Sequence, residues 1–125
     1  MSTKQILVID DENNLCTVIK ACLENIGKWQ VLTALSGKDG LLLAETQIPD
    51  AILLDVMMPD MDGMTLFKIL QNNPTTKEIP VILLTAKVQP VDLNQFSQLG
   101  IAGVIAKPFD PLQLSKLIAQ NLGWS

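Results

Sequence analysis

The side chains best suited to chemistry in this sequence stand directly after short apolar segments. Asp10 and Asp11 follow the first of these segments, and Asp55 follows the third. Thr85 follows the fourth segment and Lys107 follows the fifth. If the segments are parallel strands of one sheet, the residues that follow them meet beyond its carboxyl edge. The sequence therefore predicts one cluster that combines carboxylates, a hydroxyl and an ammonium group.

Such a cluster favours metal-assisted phosphoryl transfer. Three neighbouring aspartates repel one another and raise the pKa of at least one of them unless a cation neutralises the charge. Hard oxygen ligands favour Mg²⁺, with Mn²⁺ as the other candidate, and Mg²⁺ readily shares its coordination shell with a phosphate. In this interpretation the carboxylates hold the metal, Lys107 neutralises phosphate charge, and Thr85 donates a hydrogen bond to a phosphoryl oxygen. Asp55 closes an apolar strand, so its carboxylate can act as the nucleophile that forms an acyl phosphate.

The elements that must position these residues alternate along the chain. Five apolar runs predict strands at residues 5–9, 30–34, 51–54, 81–84 and 102–106. Three of them are apolar at nearly every position, which is typical of strands buried on both faces of a parallel sheet. Helical patterns fill the intervals, so right-handed crossovers connect the strands. The prediction is an α/β fold, a three-layer sandwich around a five-stranded parallel sheet.

The predicted helices begin and end at recognisable residues. Ser36 and Asp62 are expected to cap the second and third helices, and Asp110 with Pro111 to open the fifth. The first helix is expected to end at Gly27 in a left-handed conformation. The fourth helix is placed around residues 91–99. The apolar stripe of the first helix comprises Leu15, Val18, Ile19, Cys22, Leu23 and Ile26.

Composition limits the possible functions. The chain has 125 residues, which predicts a single domain over residues 1–125. Its lack of His excludes a Ser-His-Asp relay and a His-ligated zinc site. Its lack of Arg and its pI near 4.6 argue against a nucleic-acid surface. No apolar run is long enough to span a membrane and no signal peptide is recognisable, so a cytoplasmic location is expected. Cys16 and Cys22, six residues apart in one predicted helix, are interpreted as unpaired core thiols.

The sequence resembles the receiver domain of two-component response regulators over nearly its whole length. Four segments carry the resemblance: Ile-Leu-Val-Ile-Asp-Asp-Glu at residues 6–12, Leu-Leu-Asp-Val-Met-Met-Pro-Asp-Met-Asp-Gly at residues 53–63, Leu-Thr-Ala at residues 84–86 and Lys-Pro-Phe at residues 107–109. Each segment is modest alone, and the four in this order are highly specific. The resemblance implies the flavodoxin-like strand order 2-1-3-4-5. It also implies a cis bond between Lys107 and Pro108.

The resemblance further implies roles for the clustered residues. Asp55 is similar to the phosphoacceptor, and Thr85 and Lys107 are similar to the switch hydroxyl and the phosphate-contacting lysine. The metal-site acids are Asp10 and Asp11, joined by Asp55 and by the Met57 carbonyl. The implied function is a phosphorylation-dependent signalling switch and not an enzyme. Its implied partners are a sensor histidine kinase or phosphotransfer protein and a separate downstream effector protein.

Three positions depart from the family pattern. Val104 stands where many receivers have an aromatic residue that swings inward when the switch hydroxyl moves. We therefore expect phosphorylation to be read out through the loop after Thr85 and the fourth helix. Met57 and Lys87 occupy the two positions that tune hydrolysis of the acyl phosphate in the family. Neither side chain positions an attacking water as an acid or amide does, so a long-lived phosphoryl group is predicted.

Alternative functions remain open at this point. A receiver that is never phosphorylated would serve only as an interaction module, although such modules usually lack one of the key acids. An aspartate-nucleophile phosphatase would place a second aspartate two residues after its nucleophile, whereas Asp10 and Asp11 are adjacent. A flavodoxin-like cofactor site is less favoured, because acids after the first strand repel a phosphate.

Two acids and four methionines near Asp55 are interpreted as structural residues. Asp60 and Asp62 are interpreted as turn and capping residues. The four methionines Met57, Met58, Met61 and Met64 are interpreted as flexible core filling.

Overall fold

The centre of the fold is a parallel sheet of five strands in the order β2-β1-β3-β4-β5. The computed structural model describes residues 3–86 and 98–124. Its elements in chain order are β1 (Gln5–Ile9), α1 (Asn13–Asn25), β2 (Gln30–Ala34), α2 (Gly37–Gln47), β3 (Ala51–Asp55), α3 (Gly63–Asn72), β4 (Val81–Thr85), β5 (Gly103–Ala106) and α4 (Leu114–Leu122). A short 3₁₀ turn, Pro111–Gln113, leads into α4. The predicted fold class and strand order are confirmed. The helix predicted around residues 91–99 falls mostly outside the described residues.

Two apolar cores separate the layers of the sandwich. Side chains alternate along each strand, so the odd and even residues of β1 face opposite sides of the sheet. The core on the α2 and α3 side includes Leu7, Ile9, Ile52, Leu54, Leu66 and Phe67. The core on the α1 and α4 side includes Ile6, Val8, Leu53, Ile19, Leu23 and Ile118. Burying each such side chain stabilises the fold by about 1.5–3 kcal/mol, which holds the strands rigidly beneath the site.

The strand register aligns the carboxyl ends at one edge. Asp55 pairs with Leu84 across β3 and β4, and Thr85 pairs with Ala106 across β4 and β5. As a result β3 and β4 each extend one residue beyond their predicted ends, and Asp55 and Thr85 are the last residues of their strands. Beyond β5, the Lys107 N–H donates to the Thr85 carbonyl at 2.8 Å. Ladder bonding therefore fixes the backbone of these site residues.

The first helix differs from its prediction in two respects. Val18 is 43% exposed and Ile26 is 48% exposed. Cys16 is buried instead, on the same face of the helix as Ile19. The predicted stripe was therefore wrong at Val18 and Ile26, because the buried face of α1 is narrower than the run of apolar residues suggests. Lys28, with a φ of 62°, is the left-handed residue after α1, so the prediction for Gly27 was also wrong.

The predicted helix caps are confirmed. The Ser36 hydroxyl accepts a hydrogen bond from the Asp39 N–H at 3.1 Å, and the Asp62 carboxylate accepts one from the Thr65 N–H at 2.8 Å. Asp110 accepts one from the Leu112 N–H at 3.0 Å, although it caps the 3₁₀ turn and not α4 itself. In the described part of the chain, every helix is too short or too polar to cross a membrane.

Candidate functional site

Three aspartates meet at the carboxyl edge of the sheet. Asp10 follows β1 and Asp55 ends the neighbouring strand β3, and both side chains are buried. Asp11 is exposed at the rim. One carboxylate oxygen from each of the three lies within 4.8 Å of the others. The sheet therefore brings together the three acids that the sequence placed at strand ends.

Lys107 reaches these acids from the end of β5. Its Nζ lies 3.0 Å from Asp10 Oδ2 and 3.4 Å from Asp55 Oδ1. It also lies 3.8 Å from Glu12 Oε1, an exposed acid for which the sequence predicted no role. The bond between Lys107 and Pro108 is cis, as the resemblance implied. One ammonium group thus faces several carboxylates at the site.

Burial and neighbouring charges shift the pKa values of two residues in the site. Burial raises the pKa of Asp55 above its ordinary value, and the nearby charge of Asp10 raises it further. Burial alone lowers the pKa of Lys107, but its hydrogen bond to Asp10 and the charges of Asp10 and Asp55 raise it more, so the net shift is upward. Lys107 therefore stays protonated at neutral pH, while the ionised form of Asp55 is disfavoured. A cation with more than one positive charge would relieve this excess of carboxylates.

Local hydrogen bonds orient both buried carboxylates. Asp10 Oδ1 accepts from the Glu12 N–H at 2.9 Å, and Asp55 Oδ1 accepts from the Met57 N–H at 3.2 Å. Each aspartate thus forms a turn with the backbone two residues further on. The second turn brings the Met57 backbone next to the Asp55 carboxylate, the position in which the resemblance implied a carbonyl ligand. The Met57 side chain is 75% exposed, so its interpretation as core filling was wrong, whereas Met58 is buried.

Thr85 stands at the same edge of the sheet as the acids and Lys107. It ends β4, which is flanked by β3 and β5, and its side chain is buried. The next residue, Ala86, has a small side chain and is exposed, so the site is open to solvent on this side of the threonine. Val104, on β5, is partly buried against the core on the α2 and α3 side. Lys87 lies outside the described residues.

The loop after β3 folds back tightly on itself. The Gly63 N–H donates to the Val56 carbonyl at 2.8 Å, which closes the loop at its base. A Cβ on Gly63 would lie only 2.5 Å from the Asp55 carbonyl oxygen, so no larger residue fits there without moving the backbone. At the tip, Asp60 accepts hydrogen bonds from the first residues of α2, which lower the pKa of its carboxyl. The interpretation of Asp62 as a helix cap is therefore confirmed, whereas the carboxylate of Asp60 bonds to the terminus of another helix.

One thiol also lies against the site. Cys16 Sγ donates to the Asp10 carbonyl at 3.3 Å. Burial, and then the charge of Asp10, raises the pKa of Cys16 to about 11. Cys22 is only partly buried, and both cysteines are unpaired, as predicted. The position of Cys16 shows that the buried face of α1 packs directly beneath the acid cluster.

The comparison with known proteins accounts for this arrangement. The chain matches the family model of the response regulator receiver domain over residues 6–119. This chain belongs to the response regulator receiver domain family. Receiver domains are components of two-component response regulators, and the family is not one of classical enzymes.

The related proteins are longer than this chain. The alkaline phosphatase synthesis transcriptional regulatory protein PhoP of Bacillus subtilis is 38% identical over 112 residues, which cover 90% of this chain and 45% of that protein. The response regulator PleD of Caulobacter vibrioides is 40% identical over 110 residues, which cover 88% of this chain and 24% of that protein. The chain thus spans a quarter to a half of the length of these relatives.

Solved receiver domains share the fold. The chemotaxis response regulator CheY4 of Vibrio cholerae superimposes with a TM-score of 0.87 at 28% identity, covering 96% of this chain and 99% of that one. The receiver domain of the sensor histidine kinase PA1611 from Pseudomonas aeruginosa superimposes with a TM-score of 0.82 at 30% identity, covering 98% of this chain and 99% of that one. In the latter structure a magnesium ion is coordinated in the active site cleft. Receiver domains bind Mg²⁺ at an acidic site, and the oxygen donors of Asp10, Asp11 and Asp55 fit such an ion.

Proposed function

We propose that this receiver domain is a phosphorylation-dependent signalling switch with Asp55 as its phosphoacceptor. The observation that carries the proposal is the meeting of Asp10, Asp11 and Asp55 within 4.8 Å at the carboxyl edge of the sheet, beside the Lys107 ammonium group. Asp10, Asp11, Asp55 and the Met57 carbonyl would hold Mg²⁺, or Mn²⁺ in its place. The bound cation would neutralise phosphate charge.

Asp55 supplies the nucleophile. Its carboxylate oxygen attacks the phosphorus of a phosphohistidine on a sensor histidine kinase or phosphotransfer protein. A P–O bond forms while the P–N bond of the donor breaks, and the imidazole leaves and takes up a proton from water. Because these 125 residues contain no His, the phosphohistidine lies outside this receiver domain. The chain accepts a group and assists its transfer, and we propose no enzymatic turnover for it.

Lys107 and Thr85 respond to the transferred group. Lys107 Nζ, now 3.4 Å from Asp55 Oδ1, is placed to neutralise a phosphoryl oxygen. The Thr85 hydroxyl donates a hydrogen bond to another oxygen. The added charge at Asp55 therefore reorganises both residues and shifts the domain between two conformations. Because Val104 has no ring to swing inward, we propose that the loop after Thr85 carries the change to the partner-binding surface.

The partners that follow from this function are proteins. We propose a cytoplasmic domain over residues 1–125 that receives its phosphoryl group from a histidine kinase or phosphotransfer protein. It then binds a separate effector protein. A pI near 4.6 and the absence of Arg make direct nucleic-acid binding by this domain unfavourable.

Phosphoryl uptake tests the proposal directly. The wild-type chain and Asp55→Asn are incubated with a small phosphodonor and Mg²⁺, and their intact masses are measured. We expect wild type to gain the mass of one phosphoryl group and Asp55→Asn to gain none. No uptake by wild type would instead support an interaction module that is never phosphorylated. Turnover of phosphomonoesters would support the phosphatase alternative.

The residue two positions after Asp55 sets the expected lifetime of the phosphoryl group. The Met57 side chain is 75% exposed and cannot donate or accept a strong hydrogen bond to an attacking water. We therefore expect the purified phosphoprotein to persist well beyond seconds and Met57→Asn to shorten its lifetime. The decay of the phosphorylated mass with time measures both. A wild-type half-life of seconds would contradict this expectation.

A further inference from the structure

The tip of the loop after β3 is fastened to the beginning of α2. Asp60 Oδ1 accepts a hydrogen bond from the Gly37 N–H at 3.2 Å, and Asp60 Oδ2 accepts one from the Lys38 N–H at 3.3 Å. These N–H groups belong to the first two residues of α2 and have no acceptor within the helix. The Asp39 N–H is already bound by Ser36. Asp60 therefore satisfies the part of the α2 terminus that Ser36 does not reach.

Packing at Gly37 shows that the loop and α2 fit closely together. A Cβ placed on Gly37 would lie 3.0 Å from Met61 Cβ and 3.5 Å from Asp60 Oδ2. Gly37 is buried, and Met61 packs against the core on the α2 and α3 side. The contact thus combines two charge-assisted hydrogen bonds with apolar packing, and it joins positions 23 residues apart in sequence.

The same loop carries the Met57 backbone. At the base of the loop the Gly63 N–H donates a hydrogen bond to the Val56 carbonyl at 2.8 Å. At its start the Met57 N–H donates one to Asp55 Oδ1 at 3.2 Å. These bonds fix the two ends of the loop, whereas the Asp60 contact fixes its middle. Without the Asp60 contact, the segment from Met57 to Asp60 would keep only the buried side chain of Met58 as an anchor outside the loop.

We propose that Asp60 is a positioning residue for the phosphoryl-accepting site. By holding the loop against α2, its carboxylate limits the movement of the Met57 backbone, three residues earlier in the same loop. The inference rests on the proposed function, in which that carbonyl is a ligand of Mg²⁺. Groups that orient metal ligands in this way change metal affinity about 10- to 100-fold when they are removed.

Mg²⁺ titration of the full chain tests the inference, with Ser36→Ala as the matched control. Ser36→Ala removes a hydrogen bond from the same helix terminus and leaves the loop contact intact. We expect Asp60→Ala to lower Mg²⁺ affinity about 10-fold. Ser36→Ala should lose similar stability in urea and keep Mg²⁺ affinity within about twofold of wild type. Asp60→Asn, which retains an acceptor oxygen, should restore part of the affinity.

A second variant approaches the contact from the helix. Gly37→Ala keeps Asp60 but forces Met61 away, and Ala is the better helix former. We expect Gly37→Ala to lower the affinity for Mg²⁺ as well, even if it leaves the stability of α2 unchanged. Amide hydrogen exchange at Met57 and Lys38 reports the loop and the helix separately. Both amides should exchange faster in Asp60→Ala, and only the amides of the α2 terminus should do so in Ser36→Ala.

The possible results separate the two proposals. If wild type neither binds Mg²⁺ nor takes up a phosphoryl group, the proposed function fails, and the role of Asp60 fails with it. If wild type does both and Asp60→Ala matches its Mg²⁺ affinity, the proposed function stands and Asp60 only caps α2. A loss in Asp60→Ala and Gly37→Ala that is absent from Ser36→Ala supports positioning through the loop.

Discussion

Lys107 places one ammonium group within 3.8 Å of the carboxylates of Asp10, Glu12 and Asp55. Among the residues that the structure describes, this single positive charge cannot balance these groups together with the exposed Asp11. At residue scale the site thus carries an excess of negative charge that Lys107 reduces and does not remove. Because Asp10 and Asp55 are buried, the repulsion between their carboxylates is stronger than it would be at the surface.

Removing Lys107 should therefore strengthen metal binding. Lys107→Gln leaves the carboxylates without their internal cation, so Mg²⁺ relieves more repulsion on binding. We expect the affinity for Mg²⁺ to rise about tenfold, which corresponds to roughly 1.4 kcal/mol. Calorimetric titration measures it. Lys116→Gln removes the same charge from an exposed site on α4 and should leave the affinity unchanged. A weaker affinity in Lys107→Gln would show that Lys107 supports the metal site and does not compete with it.

At the scale of the elements, caps and junctions determine how each helix meets the sheet. The carboxylate of Asp62 caps α3 directly after the loop of the site. The junction between α1 and β2 depends instead on backbone conformation, since Lys28 adopts a φ of 62° that favours glycine. Both features lie within short connections, so their contributions to stability can be measured by single substitutions.

The α3 cap predicts a dependence of stability on pH. The hydrogen bond from the Thr65 N–H holds the pKa of Asp62 below its ordinary value of 3.8. A lowered pKa in the folded state means that the carboxylate stabilises the fold fully above that ordinary value and loses its effect as the pH falls through the folded-state pKa. Asp62→Ala should cost about 1 kcal/mol at pH 7. Urea unfolding at pH 7 and at more acidic pH should show the difference from wild type shrinking as the pH falls.

The α1–β2 junction predicts opposite effects at adjacent residues. Lys28→Gly removes the steric cost of the left-handed conformation and should raise the free energy of unfolding by about 0.5–1 kcal/mol. Gly27→Ala should lower it, because the added Cβ would lie 2.9 Å from the Leu23 carbonyl oxygen and 3.1 Å from the Trp29 ring. Urea unfolding of the two variants measures both effects. Stabilisation by Gly27→Ala would contradict this account of the junction.

Across the whole molecule, the two edges of the sheet have different compositions. At the amino edge Trp29 and Trp124 pack edge to face with ring centroids 5.2 Å apart, and Lys4 Nζ lies 5.1 Å from the centre of the Trp124 ring. These contacts tie the beginning and the end of the described chain together. At the carboxyl edge, buried charges of like sign gather instead. Packing at one edge stabilises a fold that tolerates repulsion at the other.

This contrast predicts an exchange of stability for function at Asp55. Burial and the charge of Asp10 raise its pKa above 3.8, so the ionised carboxylate destabilises the fold above the folded-state pKa, and this effect vanishes at pH values below 3.8. Asp55→Asn should raise the free energy of unfolding by about 1 kcal/mol at pH 7 without metal. Excess Mg²⁺ should stabilise wild type by about 2.7 kcal/mol at a concentration 100 times the dissociation constant. Asp55→Asn should reduce this stabilisation, because it removes one of the carboxylates that would hold the metal.

Thermal unfolding with and without Mg²⁺ measures both parts of this prediction. Asp39→Asn is the control, because it removes the same charge from an exposed position on α2. We expect that variant to keep the response of wild type to Mg²⁺. A loss of stability in metal-free Asp55→Asn would show that Lys107 already compensates the charge of Asp55.

The parallel sheet and the chemistry at its carboxyl edge follow from the order of residues along the chain. Strands that are apolar at nearly every position, alternating with helical patterns, require a parallel sheet buried on both faces. A parallel sheet sends the residues after every strand to the same edge, so the sequence alone groups Asp10, Asp55 and Lys107. The capping residues were also predictable, because a cap bonds to the backbone only a few residues away.

Which side chains contact one another and which are buried depends on how the helices and strands pack in three dimensions. Periodicity cannot tell that Val18 faces solvent, since exposure depends on which neighbouring helix covers each face of α1. Nothing local links Asp60 to Gly37, because their contact depends on how a loop and a helix 23 residues apart pack on the same sheet. The distances from Lys107 to its carboxylates likewise arise from strands that are distant in sequence and adjacent in space. Short-range bonds follow from sequence spacing, whereas these contacts follow from the packing of whole elements.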